Sequence, residues 1–352
     1  MATKEYYRPL GLLWGPDASR AVAEGIAGRL AGSDFAAFTL IEIIERRTAA
    51  VRRRTVAYRE ALALGLPLAA FEAARAPLAG MALERPRIMG IVNVTPDSFS
   101  DGGLFDETAE AIAHGKMLLQ EGAHILDVGG ESTRPGSTGV SVEEELRRTI
   151  PVVEGLNRAG ALVSIDTRKP EVMEAAALAR ASIINDVSAL GYSPASVATA
   201  ARLGLPVVLM HAQGTPETMQ LNPIYEDVAL DVYDALEARV DACVAAGIER
   251  SRLVIDPGIG FGKTSMHNVE LLQQLTLFHG LGVPVLVGLS RKGFTGALTG
   301  ESEPRKRIFG SVSGAVHCAL NGAQILRVHD VKPTRQGLAV AMAAADPRMM
   351  VT

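Results

Sequence analysis

From Arg87 to the end of the chain, short apolar runs rich in β-branched residues alternate with longer stretches of helical period, which restricts the chain to a parallel β/α architecture. The runs are Ile88 to Val94, His124 to Val128, Leu162 to Asp166, Ser182 to Asp186, Pro206 to Met210, Leu253 to Asp256, Pro284 to Gly288 and Gln324 to Val328. Between them, Asp106 to Gly122, Glu143 to Ala159, Pro170 to Arg180, Tyr225 to Ala246 and Arg307 to Asn321 read as helices. Eight strands with intervening helices over roughly 250 residues match a (β/α)8 TIM barrel. A doubly wound open sheet would want a glycine-rich dinucleotide fingerprint after its first strand. The first run is followed instead by Asn93-Val94-Thr95-Pro96-Asp97-Ser98-Phe99-Ser100-Asp101-Gly102-Gly103, a polar loop suited to a barrel mouth.

The length of 352 residues leaves room for more than the barrel, and residues 1–85 do not follow the β/α rhythm. They carry a helix candidate near Ala18 to Leu30 and a mixed run from Phe35 to Arg47, and read as a small additional N-terminal subdomain before a barrel at 86–352. The triplet Arg52-Arg53-Arg54 is expected to be a solvated or ion-paired face. A net charge of -4 offers no broad basic field for nucleic acid and leaves a small molecule as the expected partner. Cys243 and Cys318 lack metal-pair or disulfide spacing and read as packed thiols. The apolar patch from Leu10 to Trp14 is too short for a signal peptide, and Glu72 and Arg75 interrupt the run from Leu62 to Leu83, so neither predicts a membrane segment and a cytoplasmic location is expected.

In a barrel of this kind the chemistry sits at the carboxyl ends of the strands and the loops that follow. Polar residues concentrate there: Asn93; Asp127 and the loop Glu131-Ser132-Thr133-Arg134; Asp166; Asn185-Asp186; His211 and Gln213; Asp256; Ser290-Arg291-Lys292; Arg327 and His329. A single Asp or Asn after a strand is commonly a turn former or a helix cap, but convergence of carboxylates, amides and cations on one rim has no packing purpose. Asp166, Asn185, Asp256 and Lys292 supply donors and acceptors for the edge of a flat, nitrogen-rich heterocycle. Arg134, Arg327 and His329 supply positive charge at a different angular position, where guanidinium forks suit phosphate oxygens. Asn93 offers a neutral oxygen of the kind Mg²⁺ accepts beside substrate phosphates. Asp256-Pro257-Gly258-Ile259-Gly260-Phe261-Gly262-Lys263-Thr264 fails the Walker A spacing by one residue and reads as backbone that approaches a ligand closely, with Phe261 as a wall.

Together these motifs resemble one family, the dihydropteroate synthases. The matching text is Met89 to Gly103, Asp127 to Gly136, Ser164 to Thr167, Ile184 to Val187, Met210-His211, Asp256 to Lys263, Ser290 to Lys292 and Arg327 to Val331, spanning 88 to about 345. The resemblance implies condensation of a hydroxymethyl dihydropterin diphosphate with 4-aminobenzoate, giving dihydropteroate and diphosphate in folate biosynthesis. It implies a deep pterin pocket with Asp166, Asn185, Asp256 and Lys292 at the ring and Met210 and Phe261 as apolar walls. The diphosphate would lie toward Thr133, Arg134, Arg327 and His329, with Mg²⁺ near Asn93. Asp101 would stabilise the developing cation or handle the amine proton, and Ser290 and Lys292 would border the aminobenzoate. Homodimerisation and sulfonamide targeting are implied by the same resemblance. Ala212 and Ile259 depart from it, standing where many relatives carry Met and Phe. A corrinoid-linked methyltransferase barrel would share the ring contacts but would not need Arg134, Arg327, His329 and the Asn93 loop together. A non-catalytic pterin-binding paralogue would be expected to have lost Asp101, Arg134 or Lys292, and all three are present.

Overall fold

In the computed structural model, which describes residues 4–47, 50–94, 104–132, 137, 139–214 and 218–349, two sheets share one core. The N-terminal sheet is antiparallel and holds β1 (Lys4–Trp14), β2 (Gly28–Arg29), β3 (Ala36–Arg47) and β4 (Ala50–Ala57), with β3 pairing all the others. Three short helices accompany it: α1 (Gly15–Ala23), α2 (Tyr58–Ala63) and α3 (Ala69–Glu72). The helix expected over Ala18 to Leu30 is therefore shorter and starts earlier. Gly25 takes a φ of +66°, outside the helical range, and Gly28 and Arg29 join β3 instead.

The eight parallel strands read from the sequence are all present: β5 (Arg87–Asn93), β6 (Ile125–Gly129), β7 (Val163–Asp166), β8 (Ile183–Asp186), β9 (Val207–Met210), β10 (Leu253–Asp256), β11 (Leu286–Val287) and β12 (Ile325–Val328). They pair in cyclic order, and a bridge between Ile255 and Val285 joins the two ends into a barrel. Around it run α4 (Leu104–Glu121), α5 (Val142–Arg158), α6 (Pro170–Leu178), α7 (Ser196–Leu203), α8 (Val228–Ala245), α9 (Ser265–Gln273), α10 (Gly293–Thr299), α11 (Ile308–Leu320) and α12 (Val331–Ala345). Cys243 and Cys318 are free, buried thiols, as their spacing suggests.

Side chains alternate across a strand with period two, and here the alternation sorts chemistry by depth. Met89, Ile125, Ile183, Val208, Val254, Leu286 and Ile325 form one apolar cluster in the lower barrel, and Leu78 and Leu83 join it from the segment before β5. Leu78 and Met81 make a backbone bridge there, so a small hairpin stoppers the amino-terminal end. Two residues further along the strands, the same faces carry Asp127, Asn185, Met210, Asp256 and Arg327. The floor is thus apolar and the mouth is charged.

The N-terminal sheet lies against α8 and the 3-10 segment Leu275–Leu281. Tyr6 stacks edge-on with Tyr233 at 5.5 Å and donates its hydroxyl to Asp234, while Thr276 Oγ1 donates to the Pro9 carbonyl at 2.8 Å. Phe38, fully buried, packs edge-on against Tyr58 and Phe71. Of the arginine triplet, Arg53 forms ion pairs with Glu42 and Asp227, which is the ion-paired face its composition suggests.

Candidate active site

The mouth contains two linked groups of polar side chains. In the first, Arg327 Nε donates to Asp127 Oδ2 and its Nη2 to Asp166 Oδ2, both at 2.6 Å, while Asn185 Nδ2 donates to the same Asp127 oxygen at 2.9 Å. Asp166 and Asn185 are register partners on β7 and β8, and Asp127 and Ser164 on β6 and β7, so neighbouring strands hold these groups side by side. Burial works against the charge on Arg327, but Asp127 and Asp166 outweigh it and raise the guanidinium above its ordinary value. Burial also pushes the Asp166 carboxyl up, opposed by Arg327. Asp127 Oδ1 and Ser164 Oγ are buried without a hydrogen-bond partner in the protein. Unpaired polar atoms at such a depth are costly unless a ligand or water meets them.

In the second group, Asp256 Oδ1 accepts the Gly258 amide at 2.7 Å, and burial raises this carboxyl, opposed by Lys292. Lys292 Nζ lies 4.4 Å from the centre of the Phe261 ring and donates to the Ile259 carbonyl. Desolvation lowers its ammonium to about 8, although Asp256 works in the other direction. Met210 is the register partner of Asp256 and is buried beside it. Gly288 lies between the two groups. A methyl there would sit 3.6 Å from Arg327 Cβ and 3.9 Å from Asp256 Oδ2, in ordinary contact with both side chains. At the rim, the His329 amide and Nδ1 each lie 3.2 Å from Ser290 Oγ.

The glycine loop after β10 is held at every carbonyl from Gly258 to Gly262. Lys263 Nζ donates to Gly258 and Phe261, Lys292 to Ile259, Gln220 Nε2 to Gly260 and the Tyr225 hydroxyl to Gly262. Lys263 also lies 3.0 Å from His211 Nδ1. Burial, with the Lys263 ammonium adding to it, pushes His211 down to about 3, so the imidazole is neutral and Nδ1 can accept. Gly258 shows why the sequence needs glycine here: its φ is +69°, and a Cβ would lie 1.8 Å from the His211 carbonyl oxygen.

The structure therefore brings together Asp166, Asn185, Arg327, Asp256, Lys292, Phe261 and Met210, with Ser290 and His329 at the rim. Asp101, Thr133 and Arg134 lie outside the described residues. The sequence reading sets Arg327 at a different angular position from the ring-binding acids. Its strand does stand apart, with β5 and β6 between β12 and β7, but the Arg327 side chain reaches across the mouth to touch Asp127 and Asp166. Asp186 does not face the mouth: it accepts from Ser188 and Leu190 and caps its own turn. Asp127 stands out in the sequence as a strand-end carboxylate but with no role attached. Gln220 and Tyr225 carry no sequence signal, since their partners lie 40 and 37 residues away.

For a metal, Asn93 stands half-buried at the end of β5. Among the described residues no group of three or more His, Cys, Asp or Glu side chains could cage an ion. A single neutral oxygen at the rim fits Mg²⁺ that keeps waters and substrate oxygens as its other ligands.

A barrel with this mouth is that of a pterin-binding enzyme, and residues 89–329 match the family model described as "Pterin binding enzyme". The chain is 48% identical over 262 residues to the dihydropteroate synthase of Escherichia coli strain K12, covering 74% of this chain and 92% of that one. The Xanthomonas albilineans dihydropteroate synthase solved with 4-aminobenzoic acid aligns with a TM-score of 0.72 at 52% identity, over 77% of this chain and 97% of that one. The same enzyme in complex with 7,8-dihydropteroate aligns at 0.70 and 49% identity, over 77% and 98%. The chain belongs to the dihydropteroate synthase family. Among the described residues no helix is long and apolar enough to cross a membrane.

Proposed function

We propose that the barrel mouth joins 6-hydroxymethyl-7,8-dihydropterin diphosphate to 4-aminobenzoate, giving 7,8-dihydropteroate and diphosphate, the transferase step of its family in folate synthesis. The observation that carries this reading is the convergence of buried carboxylates, an amide and an ammonium on one barrel mouth, with the Arg327 guanidinium bridging Asp127 and Asp166. Asp166 and Asn185 take the pterin edge from one side and Asp256 and Lys292 from the other, with Met210 and Phe261 against its faces. Asp127 Oδ1 and Ser164 Oγ are the unpaired atoms that such a ligand, or a water beneath it, satisfies.

Fission of the bond from the exocyclic carbon to diphosphate sends its electron pair to the leaving group and leaves a cation conjugated with the pterin. The aminobenzoate nitrogen then donates its lone pair to that carbon and loses a proton. Such a path needs charge compensation on the departing oxygens more than an activated protein nucleophile. Arg327 and His329, with Thr133 and Arg134 from the second loop, supply contacts to the diphosphate. Asn93 would hold Mg²⁺, which when bound adds positive charge beside the phosphates. Asp101 on the first loop stabilises the cation or accepts the amine proton, and Ser290 and Lys292 border the aminobenzoate. A homodimer is the assembly proposed by family likeness.

The test is to incubate the protein with the pterin diphosphate, Mg²⁺ and 4-aminobenzoate and to follow both products. One dihydropteroate per diphosphate is expected. Pterin binding without product would overturn the synthase reading in favour of a non-catalytic pterin binder. Asp101→Asn is expected to keep pterin binding and lose turnover, and unchanged turnover would remove Asp101 from the chemistry.

A further inference from the structure

Nothing in the condensation requires the N-terminal sheet, yet two of its arginines reach the mouth end of the barrel. Arg53 Nη2 donates to Asp227 Oδ2 and its Nη1 to Gln274 Oε1, both at 2.8 Å. Arg46 Nη2 donates to Glu226 Oε2 at 2.8 Å, and its Nη1 lies 2.7 Å from Asp231 Oδ1. These acceptors organise the start of α8: Asp227 Oδ1 accepts the Ala229 and Leu230 amides, and Asp231 Oδ2 accepts the Glu226 amide at 2.9 Å. Glu226 is largely exposed, so its pair alone contributes little. The Arg46–Asp231 and Arg53–Asp227 pairs are more shielded, with every partner less than a third exposed.

The residue immediately before this turn is Tyr225. Its hydroxyl donates to the Gly262 carbonyl at 2.7 Å, its ring meets His267 edge-on at 5.0 Å, and the His211 ring lies 6.1 Å away. The contacts therefore run without a gap from the sheet, through the first turn of α8, to the loop that carries Phe261 and whose Ile259 carbonyl holds Lys292.

We propose that the N-terminal domain braces the substrate loop, with Arg46 and Arg53 as positioning residues that act through Glu226, Asp227 and Tyr225 on the segment from Gly258 to Gly262. The inference rests on the assignment of that loop to the substrate site. Contiguous contacts become coupling only when energy is shown to pass along them, so the test is a double-mutant cycle in the full chain.

Arg46→Met and Arg53→Met, singly and together, are compared with Lys4→Met, which breaks the same seam further along α8 at Asp234 and Glu237. The double variant is expected to lower kcat/KM for the pterin diphosphate about three- to tenfold, within the roughly two- to thirtyfold span of residues that modulate a site without touching ligand. Lys4→Met is expected to leave kcat/KM unchanged at a similar loss in Tm. In a Tyr225→Phe background the arginine effect should shrink to within about twofold, because the shared route is already cut. Asp227→Asn, which keeps the capping oxygen and removes the charge, should reproduce the Arg53→Met effect. An equal loss in Lys4→Met, or full additivity with Tyr225→Phe, would overturn the brace. An inactive wild-type chain would overturn the functional reading beneath it, whereas an active wild type indifferent to the arginines would overturn the brace alone.

Discussion

Lys292 shows how one side chain at the mouth ties pH to binding. Desolvation holds its ammonium at about 8 against an ordinary 10.5, so the proton it donates is lost as the pH rises through 8. Between about 8 and 10.5 the unfolded chain binds a proton that the folded chain lacks, so this group's contribution makes stability rise with pH across the window while binding falls. The KM for the pterin diphosphate is therefore expected to climb above pH 8, measured as a steady-state pH profile, and Lys292→Arg should move that break upward. A profile flat to pH 10 would show that Lys292 does not donate to the ring. Gly258→Ala is expected to cost more than about 1 kcal/mol by denaturant unfolding, because the new methyl meets a carbonyl while φ stays positive. The polar types at the strand ends are legible in the sequence because loops after barrel strands serve no other joint purpose. Their partners are not: that Arg327 reaches Asp166, 161 residues away, depends on barrel closure, which no local pattern encodes.

At the scale of elements, the barrel strands are readable because both their faces are buried, and a run of apolar residues flanked by polar ends has few other readings. The N-terminal strands are not, since β1 and β4 mix Lys, Arg and Glu with apolar residues and gain their shape from pairing with β3. The starts of α5, α8 and α9 follow ordinary capping chemistry. Ser141 Oγ accepts the Glu144 amide before α5, and Thr264 with His267 forms a reciprocal cap before α9. Thr264→Ala is expected to destabilise by about 1 kcal/mol. Because this cap follows Lys263 directly, the variant should also weaken pterin binding. Calorimetric titration with the pterin would separate that effect from a loss of stability alone, in which affinity stays unchanged.

Across the whole molecule, the two sheets are expected to unfold as one unit. Leu30, Phe38 and Phe71 of the N-terminal segment share a continuous buried cluster with Leu275, Phe278 and the outer barrel helices. Removal of the residues before Arg87 would strip that cover and also remove Leu78 and Leu83 from the barrel floor. The shortened chain is expected to lose its sharp thermal transition and to bind a hydrophobic dye, and a cooperative melt near that of the full chain would show the barrel to be self-sufficient. Leu83→Ala alone is expected to cost about 2–5 kcal/mol, the usual range for a leucine deleted from a packed core. The stoppered floor also governs traffic. A barrel closed below has one door, so both reactants enter and both products leave by the mouth, and whatever occupies the deeper seat must arrive before the reactant that covers it.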